Sequence, residues 1–174
     1  MRTVVTVMVL ALTLSPGGAG TTLAQAPELS PGVLRNGAYP IHAFSRQKWV
    51  QLQNGVFRRG MDEDDADFLE VRLVKAAWGD LNGDGRADAA VILVSHTGGS
   101  GRFFEAAAVV NDRGRPRYAA SASLGDGIKV NSLRIKDGII VLDLVVHGED
   151  DPSCCPTLKI TRQYRLEGSR LVKD

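Results

Sequence analysis

From Trp49 onward the apolar residues of this chain stand at every second position or in short unbroken runs, and turn-forming residues separate them. Val50 and Leu52 lead to Asn54-Gly55, a hairpin signal, and then to Val56 and Phe57. Leu69, Val71 and Leu73 alternate with Glu70 and Arg72, as a half-buried strand does. Ala89 to Val94 is a continuous apolar run, the pattern of a strand covered on both faces. Phe103 to Val110 and Tyr118 to Leu124 follow, set off by Gly98–Gly101, Asn111–Gly114 and Gly125–Gly127. Between Ile128 and Ile135 the alternation changes phase, and a one-residue bulge near Asn131-Ser132 reconciles its two halves. Asp137-Gly138 turns the chain into Ile139 to Val146. Leu158, Ile160, Tyr164 and Leu166 then alternate with Lys159, Thr161, Gln163 and Arg165, and Glu167-Gly168-Ser169 leads to a last short strand. No segment carries a sustained 3.6-residue apolar period, which leaves room for no more than a short helix near 44–53 or in the acidic link. The expected fold is all-β or β-rich α+β. About nine strands would form an antiparallel meander, as a curved sheet, a sandwich or a partly closed barrel.

The N-terminus breaks this pattern. Arg2 precedes the short apolar run Val4 to Leu14, and small residues follow up to Ala24 and Ala26. This is the order of an export signal, with cleavage expected after Ala24 because Pro27 disfavours cutting after Ala26. The run is too short for a membrane span, no later run approaches the roughly 18 apolar residues a span needs, and no cysteine stands near the cleavage region to carry a lipid. The expected layout is a signal peptide over 1–24, an irregular lead-in over 25–45 rich in proline and glycine, and one β-rich domain over 46–174. Loss of the signal removes Arg2 and no acid, leaving 20 basic against 20 acidic residues, so nothing points to nucleic acid or an anionic membrane as partner. The expected location is the periplasm or the extracellular space.

One stretch has a definite ligand chemistry. Asp80-Leu81-Asn82-Gly83-Asp84-Gly85-Arg86-Ala87-Asp88 places oxygen-bearing side chains at loop positions 1, 3, 5 and 9, with glycine at 4 and 6. That spacing suits a hard divalent cation, for which Ca²⁺ takes six to eight oxygens at about 2.3–2.6 Å. Asp80, Asn82 and Asp84 would turn inward, the Arg86 carbonyl would serve as backbone ligand, and Asp88 would close the loop. Position 12 is Val91, so the bidentate glutamate of an EF-hand is absent, and the flanks read as strands. The loop resembles the calcium hairpins of integrin-type FG-GAP repeats. An ion held by one loop would be structural, neutralising the carboxylates and fixing the register of two core strands. A plain polar hairpin is the alternative, since Asn-Gly and Asp-Gly are turn signals in themselves.

Cys154 and Cys155 are the only cysteines. In an oxidising compartment they would pair with each other. Neighbouring Cα atoms lie about 3.8 Å apart, below the usual disulfide span of about 4.4–6.8 Å, so such a bond is expected to be readily reduced. Free or intermolecular thiols, or a metal held with His147, are the alternatives. Beside them, His147 with Glu149 or Asp151 could support acid–base hydrolysis, though a solvated polar loop reads the same way. Gly98–Gly101 lacks the lysine and hydroxyl of a phosphate loop, and Ser95-His96 and Ser100 stand in no nucleophile elbow. His42 is isolated in sequence, Met61–Asp67 reads as a solvated link, and Trp49 and Trp78 read as core.

Gly79 to Val94, Thr97–Gly101, Leu124–Asp126 with Val130–Leu133, and His147-Gly148 with Asp151-Pro152 and Cys154–Thr157 together resemble a group of small exported bacterial proteins and lipoproteins. The similarity covers about residues 35 to 173. It implies export and a shared fold and no reaction, and this chain departs from the lipoproteins in having no lipidated cysteine. The expected function is a secreted or periplasmic, calcium-stabilised β module with a binding or structural role in the cell envelope, its partner a protein or glycan there. The alternatives are a hydrolase at His147 and a thiol–disulfide switch at Cys154 and Cys155.

Overall fold

Two-residue turns with positive φ at both positions set the topology. Asn54-Gly55 (φ 52° and 88°), Arg113-Gly114 (55° and 87°) and Asp137-Gly138 (52° and 77°) adopt it, the hand that matches the twist of antiparallel strands. The computed structural model describes residues 29–42 and 48–174. The expected signal peptide lies outside them.

A five-residue helix α1 (Pro31–Arg35) opens the described chain, capped by the Ser30 side chain, which accepts from Val33 N. Eleven strands follow: β1 (Ala38–Ile41), β2 (Lys48–Gln51), β3 (Val56–Arg59), β4 (Leu69–Gly79), β5 (Asp88–His96), β6 (Phe103–Asp112), β7 (Arg115–Asp126), β8 (Lys129–Lys136), β9 (Ile139–Val146), β10 (Leu158–Glu167) and β11 (Arg170–Lys173). They form three antiparallel sheets: β1-β2, the five-stranded β3-β4-β5-β6-β7 and the four-stranded β8-β9-β10-β11. Every pairing joins strands that are consecutive in sequence, so the fold is a meander. None of these sheets closes into a barrel.

The five-stranded sheet is the middle layer, because β5 is apolar on both sides. Ala89, Val91 and Leu93 join Leu29, Leu34, Tyr39, Ile41, Val50 and Leu52 in one core. Ala90 and Ile92 join Ile140, Leu142, Leu144 and Tyr164 in the other. Period-two alternation sends neighbouring residues to opposite faces, so one strand serves both cores. Gly79 on β4 marks a close approach of the two large sheets: a Cβ there would lie 2.6 Å from Ile135 Cγ2.

The phase change in β8 is a bulge, with the register shifting between Val130 and Ser132. A second bulge between Leu73 and Lys75 leaves Val74 exposed and was not foreshadowed by the alternation. Other expectations need correction. The segment read as an irregular lead-in contains α1 and β1, and Leu29, Leu34, Tyr39 and Ile41 in it are buried. The Asn54-Gly55 turn forms, yet its flanking strands join different sheets, β2 pairing with β1 and β3 with β4. Residues 60–68 contain no helix. Trp49 and Trp78 are not core: they are 59% and 39% exposed. Trp49 sits on a two-stranded ribbon, and Trp78 donates from Nε1 to the Leu29 carbonyl.

Candidate functional site

The Asp80–Asp88 loop joins β4 to β5. Gly83 and Gly85 both take φ 78°, a conformation that strains any residue with a Cβ. The loop closes on Asp80. Its Oδ1 accepts from the amides of Asn82 (3.2 Å), Gly83 (2.7 Å) and Asp84 (3.3 Å), and its Oδ2 from Gly85 (2.8 Å). Asn82 Oδ1 also accepts from the Asp84 amide, at 3.0 Å. Partial burial opposes ionisation of Asp80, and the four amides together outweigh it and hold the carboxyl below its ordinary range. Asp84 accepts from the Arg86 amide at 2.9 Å and from the Arg86 guanidinium at 2.6 Å. The amide leads in holding its carboxyl low. Arg86 Nε is buried without a hydrogen-bond partner.

Asp88 behaves differently. It is fully buried; Oδ2 accepts from Leu81 N at 2.9 Å and Oδ1 from Asn111 N at 2.8 Å. It ties the base of the loop to β6. Among the described residues no group of three or more His, Cys, Asp or Glu side chains is gathered into a metal cage, and each loop carboxylate accepts hydrogen bonds from the protein itself. Asp80 Oδ1 and Asn82 Oδ1 both accept from the Asp84 amide, and Asn82 Nδ2 donates to Asp84 Oδ2 at 3.2 Å.

A second feature is an open cleft of about 820 Å³, lined by Ser100, Asp126, Gly127, His147, Asp151, Ser153 and Cys154. Three connections meet there, β5–β6, β7–β8 and β9–β10. It brings His147 and Asp151 together, while Glu149 is exposed and not part of its wall. Asp151 is a structural residue of the β9–β10 loop. Its carboxylate accepts from Gly148 N (2.8 Å), Thr157 N (2.6 Å) and Thr157 Oγ1 (2.8 Å). These bonds, led by Gly148, with His147 a lesser contributor, hold its carboxyl below the ordinary range. Cys154 and Cys155 are disulfide-bonded to each other, and both are exposed.

A third cluster lies on the other face of the middle sheet. Glu105 on β6 is buried, and its carboxylate faces His42: Oε1 accepts from the His42 amide at 2.7 Å, and Oε2 lies 3.2 Å from His42 Nδ1. Ser121 Oγ lies 3.2 Å from the same Nδ1 and accepts from the Tyr118 hydroxyl at 3.0 Å. Tyr118 stands edge-on to Trp49, with centroids 5.4 Å apart. The two rings line a groove of about 290 Å³ with Gly37, Ala38, Tyr39, Val109, Pro116 and Arg117. Sequence reasoning left His42 isolated and passed over Glu105. The available signal was a single carboxylate inside the apolar run Phe103–Val110. Of the remaining candidates, His96 is buried, with Nε2 2.7 Å from the Gly99 carbonyl. Ser95 is buried beside it. Comparison with family models, curated proteins and solved structures finds no match for this chain.

Proposed function

We propose that this chain is a secreted or periplasmic β module with a binding or structural role in the cell envelope, recognising a protein or glycan there. In this reading its β4–β5 loop takes up a structural calcium ion. The observation that carries the calcium reading is the closure of the loop on Asp80. Gly83 and Gly85 adopt left-handed φ, and the tight loop they form brings Asp80, Asn82 and Asp84 within hydrogen-bond reach of one another. Asp80, Asn82 and Asp84, with the Arg86 carbonyl, would supply oxygens. Asp88 would hold the loop's base. Binding would require Asp84 to exchange its Arg86 guanidinium for the ion, consistent with an affinity of about 10⁻⁴–10⁻³ M, as in extracellular modules.

The test is thermal unfolding of the mature chain with 10 mM calcium or with chelator. A ligand at about 10 to 100 times its dissociation constant should raise the melting temperature by a few degrees. Asp84→Ala should abolish that rise. Superimposable melting curves for the wild type would sink the calcium reading.

One observation favours a second reading, a hydrolase: His147 and Asp151 share the open cleft. Against it stands the saturation of the Asp151 carboxylate by loop hydrogen bonds, which suits a scaffold better than an acid–base partner. If the cleft hydrolyses anything, His147→Ala should eliminate turnover on an ester and glycoside panel. A thiol–disulfide switch has in its favour the exposure of Cys154 to the same cleft.

A further inference from the structure

We infer that the groove between β1-β2 and the β7 edge is a saccharide site, built from Trp49, Tyr118 and Arg117 and supported behind Tyr118, through Ser121, by the His42–Glu105 pair, and that it takes an acidic sugar. The inference rests on the proposed binding role and names its site and ligand class.

Glu105 is the starting point. Its side chain is 2% exposed on a central strand, while that of His42 is 42% exposed. A buried carboxylate is retained only where it is well paired, and its two contacts here are both with His42, through the amide and Nδ1. A carboxylate only accepts, so the proton of a neutral His42 ring lies on Nδ1. Nε2 is then an acceptor on an exposed ring, the role a carboxylate–histidine pair commonly plays. The arrangement is not a serine triad. Ser121 and Glu105 both address Nδ1, whereas a triad places its nucleophile on Nε2.

The groove supplies the rest. Trp49 is 59% exposed, and the edge-on Tyr118 ring fixes one side of it. An exposed aromatic face stacks on the C–H face of a sugar ring, and flanking polar groups orient the hydroxyls. Tyr118 joins the two halves, since its ring lines the groove and its hydroxyl reaches Ser121 in the His42 cluster. Arg117 is exposed and forms no ion pair among the described residues. A guanidinium at the wall of an aromatic groove complements a carboxylate, which selects an acidic sugar over a neutral one.

The test is titration of the mature chain with hyaluronan tetrasaccharide, which carries glucuronate, and with the neutral chitotetraose, followed by tryptophan fluorescence and calorimetry. The acidic sugar should bind in the micromolar to millimolar range and the neutral one at least about tenfold more weakly, the discrimination expected of one paired carboxylate. Trp49→Ala should abolish binding, and Arg117→Ala should erase the preference. Glu105→Gln should weaken binding and move the His42 ¹⁵N resonances to the other tautomer, a signature that a purely structural Glu105 would not produce. Equal affinity for the two sugars overturns the acidic class. No response up to 10 mM, or an unchanged response in Trp49→Ala, overturns the site. Either failure leaves calcium-dependent melting untouched, so it is distinguishable from failure of the calcium reading.

Discussion

Asp84 and Asp88 stand four residues apart in one loop and carry different loads. Asp88 is buried, and each of its oxygens satisfies a backbone amide, Leu81 N and Asn111 N. Asp88→Ala would leave two donors unpaired and should cost about 2–4 kcal/mol. The loss would read as a lower urea midpoint, equal in calcium and in chelator. A loss seen only in calcium would instead make Asp88 a ligand. Asp84 is exposed and held by Arg86, so its removal should matter chiefly when the ion is present. In the proposed calcium reading Arg86 would compete with the ion for Asp84. Arg86→Ala should therefore tighten calcium binding severalfold by calorimetric titration, and an unchanged or weaker affinity would contradict the exchange. The candidate residues of the loop were legible in sequence because their spacing is local. That Asp88 faces inward was not, because Asn111 reaches it from β6, a strand away.

At the scale of elements, the turns and the β8 bulge were readable, since Asn-Gly, Arg-Gly and Asp-Gly act within two residues and a phase slip shows directly in the alternation. The partners of short strands were not. Nothing near Asn54-Gly55 says that β2 would fold back on β1 instead of on β3. Sheet-on-sheet contact also depends on residues far apart in sequence. Gly79 leaves room for Ile135, whose Cβ would stand 2.8 Å from an added Cβ. Gly79→Ala should destabilise by about 1–3 kcal/mol, and Ile135→Ala, which removes the Cγ2 atom that an added Cβ would meet at 2.6 Å, should show coupling to it in a double-mutant cycle. Additive effects would mean that the sheets part without cost at this point. The Cys154–Cys155 bond joins sequence neighbours and closes almost no loop. Replacing both by serine should leave the urea midpoint nearly unchanged, and a large drop would show that the bond holds the β9–β10 loop.

Two cores share one sheet, and among the described residues Glu105 and Asp88 are the buried acids. Several surface carboxylates are held low. Glu70 falls from 4.5 to about 2, first through its hydrogen bond to Arg72 and then through Arg58, against some desolvation. Asp143 is lowered by Arg134, Ser132 and Thr161, and Asp151 and Asp80 shift the same way. A carboxyl depressed by folding contributes stability that is complete above its unfolded value and lost as pH falls through its folded value. The urea midpoint should therefore fall steadily between pH 4.5 and about 2. Added salt should reduce the slope, because Arg58 and Arg72 are about half exposed and such pairs are screened. A flat profile across that window would refute the assignment.

What the sequence determined alone was the local grammar: which runs are strands, where they turn, which strand is apolar on both faces, and which loop offers hard oxygens. Backbone preference and side-chain alternation act over two to nine residues, so these signals need no tertiary context. Only the tertiary structure decided what covers each face and which distant charges meet. His42 and Glu105 are 63 positions apart, and Trp49 on β2, 59% exposed, meets Tyr118 on β7 across the groove. Such pairings arise from the stacking of the sheets, which the alternation within any one strand does not specify.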